Sequence, residues 1–168
     1  MIMMAQTEIK AIEKMIGRSL KEHSYTIACA ESCTGGLLTS RLTDVPGSSA
    51  YVKGAVVSYN NEVKIKILNV KAETIEKFEE VSNEVALEMA EGVKNLIGSD
   101  LGVGITGLAG PTGSTEKSPV GTVCIAIAGP RGNLVETHNL LGNRLEIKWQ
   151  ATEAAIMMIR EYLSEALN

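Results

Sequence analysis

Between Ala30 and Lys64 the chain reads AESCTGGLLTSRLTDVPGSSAYVKGAVVSYNNEVK, a stretch holding the residue types of a small hydrolytic site. Its hydroxyls fall at turns, its glycines leave backbone amides accessible, and it closes on a lysine. A serine attacks a carbonyl carbon only when a neighbouring base takes its proton. Histidine is the usual base, but neither of the chain's two, His23 and His138, accompanies a loop of this kind. A lysine does the same work once burial disfavours its ammonium form, and serine–lysine pairs are an attested variant of the serine–histidine scheme. Ser48 and Ser49 of the Gly47-Ser-Ser-Ala50 turn, with Lys64 beyond the next strand, make one such set. The expectation is that this strand returns Lys64 to the serines' edge. Taken alone, an ordinary turn and a surface lysine on a capped helix account for the same residues.

The Ser32-Cys-Thr-Gly-Gly36 turn lies where a strand hands over to a helix. Free N–H groups at a helix start bind anions, and the hydroxyls of Ser32 and Thr34 add donors for a phosphate or carboxylate. Simple helix capping explains the same residues equally well. Cys33 has no histidine placed to activate it, so a small buried side chain is the better reading. The run from Thr106 to Thr122 is long, rich in glycine and placed after a strand, which marks loops that carry function. It looks built to face the first stretch. Arg144, at a helix start, suits bidentate phosphate recognition or plain exposure. Gly102-Val-Gly-Ile-Thr-Gly107 matches the spacing of a dinucleotide-binding fingerprint. Those glycines lie within and just after a strand, and Gly110-Pro111 follows where a helix should begin, so we reject that fold. The glycines serve close backbone packing or close ligand approach instead.

The elements that must position these residues follow from periodicity. Residues 5–22 carry Ile9, Ile12, Ile16 and Leu20 at helical spacing. Tyr25–Ala30 predicts a buried strand, and a helix from Thr34 or Gly35 carries Leu37, Leu38 and Leu42 until Asp44-Val-Pro-Gly47 stops it. Val52–Tyr59 is a strand, and Asn60 or Asn61 caps a helix to Leu68. Residues 71–79 are helical. Ser82 caps a longer helix with Val85, Met89, Val93 and Leu96 on one face and Gly98 as its stop. Leu101–Thr106 and Gly121–Ala128 are strands, Pro130–Asn133 a turn, and Leu134–Leu141 the hairpin partner. A last helix spans Leu145–Ala166 with Ile147, Ala151, Ala155, Ile159 and Leu163 inward. The alternation predicts an α/β sandwich around a mixed sheet, in one domain.

Composition narrows the function classes. With 45% apolar and 21% charged residues the chain is ordinary globular material. A formal net charge of -4 argues against general affinity for nucleic acid. The absence of a basic leader and of a membrane-length apolar run leads to the expectation of a cytoplasmic protein without a membrane partner. Cys29, Cys33 and Cys124 are odd in number, and the first two lack a second pair at zinc-site spacing, so neither a disulfide framework nor a metal is expected.

In combination, AESCTGG at 30–36, PGSSAYVKGAVVSYNNEVK at 46–64, GITGLAGPTGS at 104–114, PVGTV at 119–123 and GNR with QAT within 142–152 resemble the C-terminal domain of the competence/damage-inducible CinA family. That family includes stand-alone nicotinamide-nucleotide amidases. The resemblance implies a three-layer α/β/α sandwich. It also implies hydrolysis of the carboxamide of nicotinamide mononucleotide to nicotinate mononucleotide and ammonia, with no metal or other cofactor. Carried over by position, Ser49 looks like the nucleophile, Lys64 its base, and Tyr59 an assisting or lining residue. Ser32, Thr34, Gly35, Ser48, Thr106, Gly107 and Arg144 look like substrate-binding positions, with GSSA backbone amides as oxyanion donors. Glu31 is structural on this reading. Family members often place a lysine directly before Pro-Val-Gly, whereas Ser118 separates Lys117 from Pro119 here, which sets Lys117 outside the pattern. The alternative is a catalytically silent nucleotide-binding module or regulatory partner. A homodimer is the default assembly for such a small protein.

Overall fold

The computed structural model describes residues 2–164, with side chains from residue 11 onward. In chain order the elements are α1 (Ile2–Glu22), β1 (Ile27–Glu31), α2 (Leu37–Thr43), β2 (Val52–Val57), α3 (Asn61–Leu68), α4 (Ala72–Phe78), α5 (Asn83–Ile97), β3 (Leu101–Gly107), β4 (Thr122–Gly129), β5 (Gly132–Asn139) and α6 (Arg144–Ser164). A short 3₁₀ turn, Ser48–Ala50, precedes β2. The sheet order is β2-β1-β3-β4-β5. The first three strands run parallel, and β4 and β5 are antiparallel to their neighbours, so the sheet is mixed as expected.

Helices cover both faces. On one, Ile16 and Leu20 of α1, Leu38 and Leu42 of α2, and Ile147, Ile156 and Ile159 of α6 pack on Ile27, Val103 and Ile125. On the other, Leu68, Val85, Met89 and Val93 of α3 and α5 pack on Ala28 and Ala30. β1 and β3 are therefore covered on both sides, which is why their sequences are continuously apolar rather than alternating. β5 mixes partly exposed and exposed positions and buries none fully, as suits an edge strand. The result is a three-layer α/β/α sandwich. α5 sits close on β3 because Gly102 and Gly104 face it. A Cβ there would lie 2.0 Å from the Ala90 carbonyl oxygen and 2.1 Å from that of Ala86. These glycines serve packing rather than ligand approach.

The ends of elements shift where turn chemistry intervenes. α2 begins at Leu37 rather than Thr34 or Gly35, because Gly35 and Gly36 both take left-handed conformations (φ of 63° and 98°) that no helix continues. Asn60 and Ser82 cap α3 and α5, accepting from the amides of Val63 and Val85, and Gly98 ends α5 in a left-handed conformation. Leu96, expected on the buried face, is 55% exposed, and the neighbouring Ile97 packs on the core instead. β5 starts and ends two residues before the expected strand. Ile9 and Ala166 lie outside the described side chains.

Candidate active site

The parallel strands β1 and β3 release their chains side by side at one edge of the sheet, the usual place for a ligand site in open α/β folds. A cavity of about 200 Å³ opens there. Ser32 and Cys33 reach it from the end of β1, Tyr59 and Lys64 from beyond β2, Thr106 and Gly107 from the end of β3, and Arg144 from the start of α6. Residues 108–110 and Thr112 of the Gly-rich loop form the opposite wall, so that loop does face the Ser32 turn.

Lys64 arrives by helical phase. On α3 it and Leu68, one turn apart, point inward. The side chain is 2% exposed, and its Nζ makes one hydrogen bond among the described residues, 3.3 Å to Oδ1 of Asn61. Burial lowers its pKa from the ordinary lysine value, and the charge of Glu80 opposes that shift. Ser32 is 7% exposed and held by its backbone. Its amide donates to the carbonyl of Ile105 at 3.0 Å, and its carbonyl accepts from Gly35 at 3.1 Å. Its hydroxyl has no protein partner among the described residues and is free to face a ligand.

Glu31 builds the turn that aims Ser32. Its buried carboxylate accepts from the hydroxyls of Thr34 (2.6 Å) and Thr39 (2.7 Å) and from the amides of Gly36, Leu38 and Thr39. Glu31 thus fills the N-terminus of α2, the place a free anion would otherwise take. Thr34 is spent on the same carboxylate, and neither it nor Gly35 lines the cavity, which corrects their expected role as ligand donors. The structural reading of Glu31 agrees with this network.

Thr106 lies at the cavity floor with its hydroxyl donating to the carbonyl of Glu80 at 2.7 Å, which leaves the oxygen's lone pairs as acceptors. Arg144 bridges the mouth: it donates to the carbonyl of Gly110 at 2.7 Å and to the hydroxyl of Tyr59. The Cys33 thiol is pushed up to about 12, mainly by burial, so it stays protonated and is no nucleophile at neutral pH. Lys117 stands away from the cavity, 3.8 Å from Glu79. Glu80 and Val81 line the cavity and were missed from sequence, since they fall in an α4–α5 turn with no motif of its own.

Ser49 is the main correction. It is exposed in the turn before β2, whereas Lys64 follows β2. One strand crosses the sheet once, so its two ends lie at opposite edges. Six residues at about 3.3 Å each separate Ser49 from Lys64 by roughly 20 Å. Ser48 is buried near Ser49, its hydroxyl 3.4 Å from the carbonyl of Thr43, and neither serine lines the cavity. The GSSA amides are likewise too remote to serve as oxyanion donors. Of the two serine turns, the structure brings only the Ser32 turn to Lys64.

Fold and site together define an α/β sandwich with a small polar cavity at the carboxyl edge of its parallel strands, lined by Ser32 and the buried Lys64. The model of the CinA C-terminal domain matches residues 9–163, and the chain belongs to that family. It is 48% identical over 151 residues to a CinA-like protein of Fervidobacterium nodosum, matching 90% of this chain and 37% of the relative. A putative competence-damage inducible protein of Acetivibrio thermocellus is 45% identical over 94% of the chain and 38% of its own length. The chain therefore spans well under half the length of these curated relatives. Among solved structures, the competence/damage inducible protein CihA of Agrobacterium tumefaciens superposes with a TM-score of 0.88 at 34% identity, covering 93% of this chain and 95% of that one. A CinA superfamily protein of Klebsiella pneumoniae gives 0.89 at 29% identity, covering 94% and 98%.

Proposed function

We propose that this chain is an amidohydrolase that converts nicotinamide mononucleotide to nicotinate mononucleotide and ammonia, with Ser32 as nucleophile and Lys64 as base. The observation that carries the reading is that Ser32, with an uncommitted hydroxyl, and a buried lysine of lowered pKa line one cavity. The free amine of Lys64 takes the Ser32 proton as Oγ bonds to the carboxamide carbon. The tetrahedral adduct then collapses: the C–N bond breaks, and the Lys64 ammonium returns the proton to the departing nitrogen, which leaves as ammonia. Water, deprotonated by Lys64, attacks the acyl ester on Ser32, and the acid departs as the hydroxyl re-forms. Backbone amides of the turn after Ser32 are the natural oxyanion donors on this reading. Arg144 at the mouth suits the substrate phosphate, and Thr106 suits the amide nitrogen as an acceptor.

Incubation of the purified chain with nicotinamide mononucleotide and an assay for ammonia tests the proposal. Stoichiometric ammonia and nicotinate mononucleotide are expected. Ligand-induced thermal stabilisation without product would instead favour a silent nucleotide-binding module.

A further inference from the structure

Three charged side chains line the cavity: Lys64, Arg144 and Glu80. The mechanism uses the first two and gives Glu80 no task. As a bare anion Glu80 is a liability there, because it favours the ammonium form of Lys64 and repels a phosphate. Among the described residues its carboxylate makes no ion pair and accepts no hydrogen bond, whereas the adjacent Glu79 is tied to Thr115 and Lys117. The Glu80 side chain is exposed to solvent at the cavity wall, but its backbone is held in place. Thr106 pins the Glu80 carbonyl from the cavity floor. Glu79, immediately before it, takes a φ of 68°, a costly conformation for a residue with a Cβ, at the turn that brings Glu80 to the cavity. A solvent-facing carboxylate whose backbone is anchored at the wall of a ligand cavity is complementary to a cation on the ligand.

We infer that Glu80 is a specificity-determining residue that selects a substrate ring bearing a fixed positive charge over the same molecule with a neutral ring. The inference rests on the amidase reading above, and it adds to that reading the electronic state of the ring. A cavity of about 150 Å³ holds benzene, so one of about 200 Å³ admits a six-membered aromatic amide. A quaternary pyridinium cannot shed its charge by proton transfer, so it pairs with a carboxylate at any working pH. Tyr59 also lines the cavity and adds an aromatic ring, the kind of group that attracts cations. The ring charge also opposes a second cation on Lys64, so a bound pyridinium favours the free amine that the chemistry needs.

The test compares nicotinamide mononucleotide with its 1,4-dihydro form, which carries the same phosphate and carboxamide on a neutral ring. Binding of each is measured by calorimetry to the full chain carrying Ser32→Ala, so that nothing turns over, and then with Glu80→Gln or Glu80→Asp added. The oxidised form is expected to bind about two- to five-fold more tightly, the ratio for an exposed charge pair. Glu80→Gln is expected to bring the ratio close to one and Glu80→Asp to keep part of it. Equal affinities with Glu80 present, a preference that survives Glu80→Gln, or no binding of either form would each overturn the inference. Ammonia release by the unmodified chain is read separately. A Glu80-dependent preference without ammonia keeps the ring-charge selection and removes the amidase reading.

Discussion

Ser32 and Lys64 enter one cavity from the ends of two neighbouring parallel strands, Ser32 directly after β1 and Lys64 on the helix that follows β2. Ser32→Ala is expected to lower kcat for nicotinamide mononucleotide by at least about 10³-fold, as loss of an activated nucleophile does. Ser49→Ala, at the far edge, should leave kcat/KM within about a factor of two, as exposed substitutions do. Steady-state ammonia assays on both variants decide between the two serines.

Lys64 sits where its charge is disfavoured. Its pKa in the folded chain lies below the unfolded value, so unfolding takes up protons and stability rises with pH through the window between the two. On the acid side of that window the charge of the buried lysine is a cost. Lys64→Met should abolish ammonia release yet raise Tm by about 2–4 °C, the shift that ~1 kcal/mol produces in a domain of this size. Calorimetric scans at pH 7 and pH 9 measure it, with the gain smaller at the higher pH.

If Lys64 acts as the free amine, kcat/KM rises with pH to a plateau, and the acid limb titrates below the ordinary lysine value. Among the groups that bear on Lys64, Glu80 favours its ammonium form, and Cys33, Arg144 and Tyr59 line the same cavity. Removing the nearby anion with Glu80→Gln should move the acid limb to lower pH. A pH–rate profile of both chains, taken with saturating and with limiting substrate, shows the shift.

Glu31 should matter for folding more than for binding. Its carboxylate takes five hydrogen bonds from the turn and α2, and Glu31→Gln replaces one acceptor oxygen with an amide donor facing N–H groups. Hydrogen bonds to charged groups contribute about 1.5–3 kcal/mol each. The variant should lose at least about 2 kcal/mol by urea unfolding, with a kcat that falls because Ser32 is no longer aimed.

Arg144 meets the solvent at the cavity mouth, where the phosphate is expected. Arg144→Ala should raise KM by about ten-fold or more with a smaller change in kcat, the pattern of lost ground-state binding. Inhibition by inorganic phosphate should weaken in parallel.

Helix caps, turn residues and apolar runs are local properties, and they were legible. Asn60, Ser82 and Gly98 end helices where their side chains and dihedrals dictate, and the continuous apolar runs of β1 and β3 announce strands covered on both faces. The pattern of Lys64 and Leu68 on a capped helix is likewise local, and so is the run of motifs that marks the CinA family. Membership in the functional site is not local. Ser49 and Ser32 are both serines in glycine-flanked turns, and nothing in their spacing from Lys64 says which edge of the sheet each occupies. That follows from strand direction and the number of crossings, which long-range pairing of β1 with β2 and β3 establishes. Glu80 was hidden for the same reason, because only packing of α5 against β3 brings its turn beside Thr106.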